Sequence, residues 1–209
     1  KYTYEEATPD IDFQASKPKA YKPTEQSDYS RGDVATGLAE ADVTLDETYV
    51  TPIEHHHPME LHALIGSWNN GNVQAYASQQ MIDNAAKTIA DTFKIDKKNV
   101  RVMSPYVGGG FGSKLAAKQH VILALMASKA VGRPVQFTVT RTQMFTNTNL
   151  RQRNEQRIQI GAKKDGTLTA LSHDTLSHTS TYEQYQESCG TVTKMLYKTP
   201  NNSVTHRLM

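Results

Sequence analysis

Apolar and polar residues alternate from Ala41 onward: Val43 and Leu45 are interleaved with Thr44 and Asp46, and Tyr49 and Val50 continue the stretch. This period of two predicts a half-buried strand. Leu61–Trp68 and Val73–Ala77 repeat the pattern, and Asn69-Asn-Gly-Asn72 between them predicts a tight hairpin, because Asn and Gly tolerate positive φ. The period then lengthens. Ile82, Ala85, Ala86, Ile89 and Phe93 fall on one helical face, with Ser78 ahead of them as the expected cap. A polar turn at Lys94–Lys98 leads to a short strand over Asn99–Ser104, and Ala116–Ala130 is an apolar run of helix length, expected to be buried, that stops at Gly132 with Pro134 beyond. Further strands are predicted over Pro134–Thr140, from Ile158 and Ile160, and over Leu168–Thr175 after a turn at Lys163–Gly166. The order of elements gives an α+β fold, mixed sheet layers with two main helices.

Residues 1–35 differ from the rest. Pro9, Pro18 and Pro23 stand among polar and charged residues with few aliphatics, which predicts an extended linker or arm, followed by one domain over residues 36–209.

Val107-Gly-Gly-Gly-Phe-Gly-Ser-Lys114 lies between the predicted strand at Val100 and the apolar helix. Four glycines in so short a stretch point to positive φ angles or to a main chain that something approaches closely. A strand-to-helix turn also suits an anion, through bare amides and the helix dipole. Two phosphate loops fail on inspection. Counted from Gly108, the P-loop pattern needs Gly where Ser113 stands and Ser or Thr where Leu115 stands, so Lys114 alone fits. The dinucleotide pattern finds Ser113 in place of its last glycine.

With 209 residues and 37% hydrophobic content the chain can bury a substantial core. Its 23 basic and 21 acidic residues leave a net charge of +2, which supplies no general drive toward nucleic acid or an anionic membrane. No apolar run approaches the roughly 18 residues of a membrane span. Cys189 is the single cysteine, expected as a small core filler, so the chain alone holds neither an internal disulfide nor a cysteine-based metal cluster. The chain starts at Lys1 and stops after Asn201–Met209 without a closing element, which suggests a fragment; the compartment stays open.

Glu54-His-His-His-Pro-Met-Glu-Leu-His62 is the densest set of potential metal ligands, but neighbours in an extended segment point to opposite faces, so no metal-ligand set is assigned. Gln79 and Gln80 end a strand, where amides usually meet solvent or cap a helix and where α/β layers also place ligand contacts. Arg151, Arg153 and Arg157 form a basic stretch that reads as a solvated face or a phosphate contact. No acid-base or nucleophilic constellation closes within the chain, so no catalytic residue is assigned.

Pro52–Ala63 with its Pro-Met-Glu-x-His core, Ala77-Ser-Gln-Gln80, and Arg101–Lys114 with its Gly-Gly-Gly-Phe-Gly motif resemble, in order and spacing, the molybdenum-binding subunit of the xanthine dehydrogenase and aldehyde oxidase family. The resemblance covers residues 36–209, and the arm before them resembles the connector after the family's first domain. It implies the first part of a molybdopterin-binding domain, with Gln79, Gly109, Gly110, Phe111 and Gly112 beside the cofactor. Gln79 matches the glutamine that reaches a molybdenum oxygen in relatives. The implied cofactor is molybdenum-molybdopterin, the cytosine dinucleotide form included, with iron-sulfur clusters and FAD on partner domains or subunits. The implied activity is oxidation of an aldehyde or N-heterocycle with water-derived oxygen. Leu115 stands where purine-oxidising relatives carry a glutamate, which favours aldehydes. The family's arginine loop and base glutamate would lie after Met209, so the chain by itself is expected to be inactive. Two other readings stay open: a nucleotide-binding domain using the glycine loop, and a non-catalytic assembly module docking through the arm.

Overall fold

The computed structural model describes every residue except 1, 2, 4, 24–27 and 182. In chain order the elements are α1 (Phe13–Ser16), β1 (Tyr29–Arg31), α2 (Val34–Ala39), β2 (Val43–Thr51), β3 (Glu54–His55), β4 (Ala63–Asn69), β5 (Asn72–Ala77), α3 (Ile82–Phe93), β6 (Val100–Met103), α4 (Gln119–Val131), β7 (Val135–Thr138), α5 (Gln143–Thr146), β8 (Leu150–Arg151), β9 (Asn154–Ala162), β10 (Leu168–Ser177), α6 (Thr193–Leu196) and β11 (Asn201–Leu208). They divide into two compact units, one of Lys1–Ile53 with Gln152–Met209, the other Glu54–Arg151. The fold is α+β, with mixed sheets as the order of elements predicts.

In the first unit the strands lie in the order β1-β11-β10-β9-β2. Residues 1–35, expected as an extended arm, supply α1 and the edge strand β1, which pairs antiparallel with β11 through Tyr29↔Val204 and Arg31↔Asn202. The turn after β9 closes with Gly166 N–H donating to Lys163 O at 2.9 Å and Gly166 at φ +87°. Arg157 forks onto Asp46 at 2.8 and 2.6 Å, and Arg153 reaches Glu155 at 3.1 Å and stacks over Phe13, so both belong to local ion pairs. Cys189 is half-buried, and burial pushes its thiol pKa upward, away from nucleophilic use.

The second unit is a four-stranded sheet, β6-β5-β4-β7. The hairpin β4–β5 closes through Asn70 and Gly71 at φ +46° and +81°, the positive pair that a two-residue turn demands. β5 and β6 run parallel, and the crossover that this requires is α3. Ala85, Ala86, Ile89 and Ala90 of α3 and Val121, Ala124 and Leu125 of α4 pack with Leu64, Val73, Ala75 and Val100 into one core. Trp68 closes it at the side, donating from Nε1 to Leu125 O at 2.8 Å and lying edge-on to Phe93.

Three local expectations change. Ser78 does not cap α3; Met81 precedes the helix, with no side-chain cap bond. α4 begins at Gln119 rather than Ala116, so residues 113–118 separate the glycine loop from the helix start and the loop does not run straight into a helix N-terminus. Nor is α4 buried all round: Leu123 and Met126 are exposed, because the sheet covers one helical face only. Its end at Gly132, left-handed at φ +66°, is as predicted.

Candidate functional site

The register of the second sheet gathers distant segments at one end. β4 is antiparallel to both β5 and β7, and β6 is parallel to β5. The residues before β4 (Glu60, His62), after β5 (Ser78, Gln79, Gln80), after β6 (Ser104 and the glycine loop) and after β7 (Arg141) therefore meet at the same end. Arg141 donates to Pro58 O at 2.7 Å and to Met59 O at 2.6 Å, fixing the chain that leads to Glu60.

The glycine loop is braced from within. Glu60 Oε2 accepts from Gly108 N–H at 2.8 Å, and Glu60 N–H donates to Gly108 O at 3.2 Å. Gln80 Oε1 accepts from Gly112 N–H at 3.0 Å and from Lys114 N–H at 3.1 Å, while Gln80 N–H donates to Lys114 O at 2.8 Å. Ser113 closes the turn onto Gly110 O through both its amide and its hydroxyl. Among the described residues the amides of Gly109, Gly110 and Phe111 find no acceptor within the chain. Gly109, Phe111 and Gly112 take φ of +92°, +54° and +108°, and the Phe111 side chain is 64% exposed. A left-handed Phe is costly unless its surroundings enforce it, and the bonds on either side do so.

Two of the glycines answer to these braces. A Cβ on Gly110 would lie 2.4 Å from Gln80 Oε1, and one on Gly108 would lie 2.6 Å from Glu60 Cβ. The sequence alone offers two reasons for glycine, positive φ or something approaching the main chain; the structure shows positive φ at Gly109 and Gly112, while at Gly108 and Gly110 the side chains holding the loop already demand it.

Beneath the loop, Lys114 is fully buried, and its ammonium meets Glu60 Oε2 at 2.7 Å, Ser78 Oγ at 3.1 Å and Glu60 O at 3.2 Å. Burial raises the Glu60 pKa, but the bonds from Lys114, Ser78 and Gly108 outweigh it and hold the carboxyl below its ordinary value. His62 Nε2 lies 3.4 Å from Ser113 O, which can only accept, so Nε2 carries the proton; Nδ1 is buried without a partner. The His120 ring stands edge-on to it at 5.4 Å. Burial, then the charges of His62, Lys114 and Lys118, press the His120 pKa from 6.5 to about 4.

That depression has a sign. Between pH 6.5 and about 4 the unfolded chain takes up a proton that folded His120 refuses, so stability present above 6.5 is lost on acidification. The loss is on the order of 3 kcal/mol. In the complete subunit the protection factors of the α4 amides, which allow for the slower intrinsic exchange in acid, should fall steeply over this range, and His120→Asn should remove most of the effect.

Of the expected site residues, Gly109, Gly110, Phe111 and Gly112 form one exposed arch, whereas Gln79 is buried beside it. With its amide nitrogen turned to the two carbonyls, Gln79 donates to Lys114 O at 3.1 Å and Ala116 O at 3.3 Å, and its backbone N–H donates to Ser104 Oγ at 2.9 Å. Arg141 is the residue that sequence patterning missed, and for Glu60 and Gln80, which stand in its motifs, it missed the role of bracing the loop, since nothing local marks a side chain whose partner lies tens of residues away. In the histidine run, His56 Nδ1 donates to Asn149 O at 3.0 Å and its Nε2 faces Gly112, while His55 and His57 pack on Phe145.

A braced arch of unspent main-chain donors at a strand end is chemically suited to an acceptor-rich ligand. The chain belongs to the molybdopterin cofactor-binding domain family, whose model matches residues 15–209. It is 39% identical over 155 residues, 74% of its length, to the aldehyde oxidoreductase molybdenum-binding subunit PaoC of Escherichia coli K12. It is 31% identical over 164 residues, 78% of its length, to the putative xanthine dehydrogenase molybdenum-binding subunit XdhA of the same strain. The chain spans about a fifth of those relatives, 21% and 22%. Its fold matches quinoline 2-oxidoreductase from Pseudomonas putida 86 with a TM-score of 0.77 at 22% identity, over 87% of this chain and 25% of that one. Aldehyde oxidoreductase from Desulfovibrio gigas matches with a TM-score of 0.74 at 23% identity, over 88% and 21%.

Proposed function

We propose that the chain supplies one wall of a molybdenum cofactor pocket in a larger subunit that oxidises an aldehyde or N-heterocycle. The observation that carries this is the set of uncommitted amides at Gly109, Gly110 and Phe111, framed by neighbours whose amides are all engaged. Such donors fit the oxo, dithiolene and phosphate oxygens and sulfurs of a molybdopterin, in its cytosine dinucleotide form or another. When bound, the cofactor supplies two-electron redox chemistry at molybdenum. The chain's own residues hold and orient it: Gly109, Gly110, Phe111 and Gly112 offer main chain, and the exposed Phe111 ring stands beside Gly109. Gln79 contributes by supporting Lys114–Ala116 from beneath, and must give up those bonds to reach a ligand itself.

Leu115, 43% exposed just after the loop, has no group with which to bond a purine edge, so aldehydes suit the site better than purines. Electrons would pass to iron-sulfur and flavin partners, residues 1–35 would connect to a preceding domain, and residues 36–209 would be the first part of the cofactor domain, inactive without the rest of the subunit. The nucleotide-binding reading loses ground on the side chain it most needs, because Lys114 is spent on Glu60 and Ser78. Metal analysis of the complete subunit, produced in a host that makes the cofactor, should find about one molybdenum per chain, the stoichiometry of a single pocket. Finding none would defeat the reading.

A further inference from the structure

We propose that Glu60 and Lys114 are positioning residues that set the height of the loop's free amides against the cofactor. This rests on the reading of the loop as a cofactor wall. A single carboxylate oxygen, Glu60 Oε2, accepts from Gly108 N–H at the loop's entrance, from Lys114 Nζ at its exit and from Ser78 Oγ at the end of β5. Entrance and exit are thus pinned to one atom, and the residues between them must arch. All three ammonium donors of Lys114 are used, two on Glu60 and one on Ser78. Its side chain is 0% exposed, whereas that of Glu60 is 37% exposed, so the pair faces inward from the lysine and outward from the acid.

Stability alone gives a poor account of the arrangement. Replacing a buried ion pair by neutral groups of similar volume is often neutral or stabilising, whereas removing one partner strands a buried charge. What an apolar replacement of the pair cannot reproduce is a common acceptor holding both ends of the loop. A binding constellation must be kept within about half an ångström of its productive geometry, and here the second layer that keeps it is visible.

The double variant Glu60→Gln/Lys114→Met, made in the complete subunit, separates the two roles. It should keep the hydrogen-exchange protection of β4 and β5, while the hydrogen-bonded loop amides of Gly108, Gly112 and Ser113 exchange at least ten-fold faster and bound molybdenum is released at least ten-fold faster on dialysis. Loop exchange is measured on cofactor-free protein, so the geometric half of the proposal is read independently of the metal. Unchanged loop exchange together with unchanged release in a folded double variant would overturn the proposal and leave the cofactor reading standing. Wild-type subunit without molybdenum would sink both. If the double variant does not fold, Glu60→Asp keeps the charge and shortens the reach by one methylene. It should release molybdenum several-fold faster, and wild-type release from it would also overturn the proposal.

Discussion

Gly108→Ala in the complete subunit should leave a folded protein carrying less than a tenth of the wild-type molybdenum. The added Cβ would lie 2.6 Å from Glu60 Cβ and 3.4 Å from Cγ and Cδ, so the clash is with the root of the side chain and not with a flexible tip. Either the chain at Glu60 or the loop must shift, and both carry the paired bonds between Glu60 and Gly108. Overpacking of this kind costs about 1–3 kcal/mol, absorbed where the structure yields most easily, which is the arch. Gly110→Ala should be milder: the close contacts are Oε1, Cδ and Cγ of Gln80, which can swing aside at the expense of its bonds to Gly112 and Lys114. Gly71→Ala is the control. No atom lies within 4 Å of its added Cβ, and its positive φ taxes the hairpin without touching the loop. Full molybdenum content in Gly108→Ala would show that close approach at Glu60 does not set the loop.

Leu125→Ala should destabilise the second unit by about 2–5 kcal/mol, the range for a fully buried leucine whose surroundings cannot collapse. Leu125 is 0% exposed, and its Cδ2 lies only 2.7 Å from where a Cβ on Gly66 would stand, so strand and helix meet there with no slack. The same residue's carbonyl accepts the Trp68 indole, so loosening α4 also loosens the side of the sheet. In the complete subunit, hydrogen exchange of the β4, β5 and α4 amides should accelerate by about thirty-fold or more, while strands β9–β11 of the first unit keep their protection. Equal acceleration in both units would contradict the division of the chain into separately packed units.

The periodic elements were legible because their causes are local. Asn70-Gly71 dictates the hairpin, the spacing from Ile82 to Phe93 dictates α3, and Gly132 dictates the end of α4. The start of α4 was not legible: Ala116 and Ala117 suit a helix, but the carbonyl of Ala116 faces Gln79 and Ala117 packs in the core. Ser78 looked like a cap for the same reason of proximity; its hydroxyl goes to Glu60 instead, since a half-buried carboxylate and a buried ammonium bind it more strongly than a frayed helix end.

By itself the sequence determined the α+β order, the hairpin and helix stops, and the presence of a glycine arch after β6, all consequences of backbone preferences acting over a few residues. Only the tertiary structure decided what the arch is anchored to. Glu60, Ser78, Gln80 and Lys114 are brought together by sheet register, and whether an ammonium points at a ligand or at a carboxylate beneath the loop depends on which strand ends lie side by side.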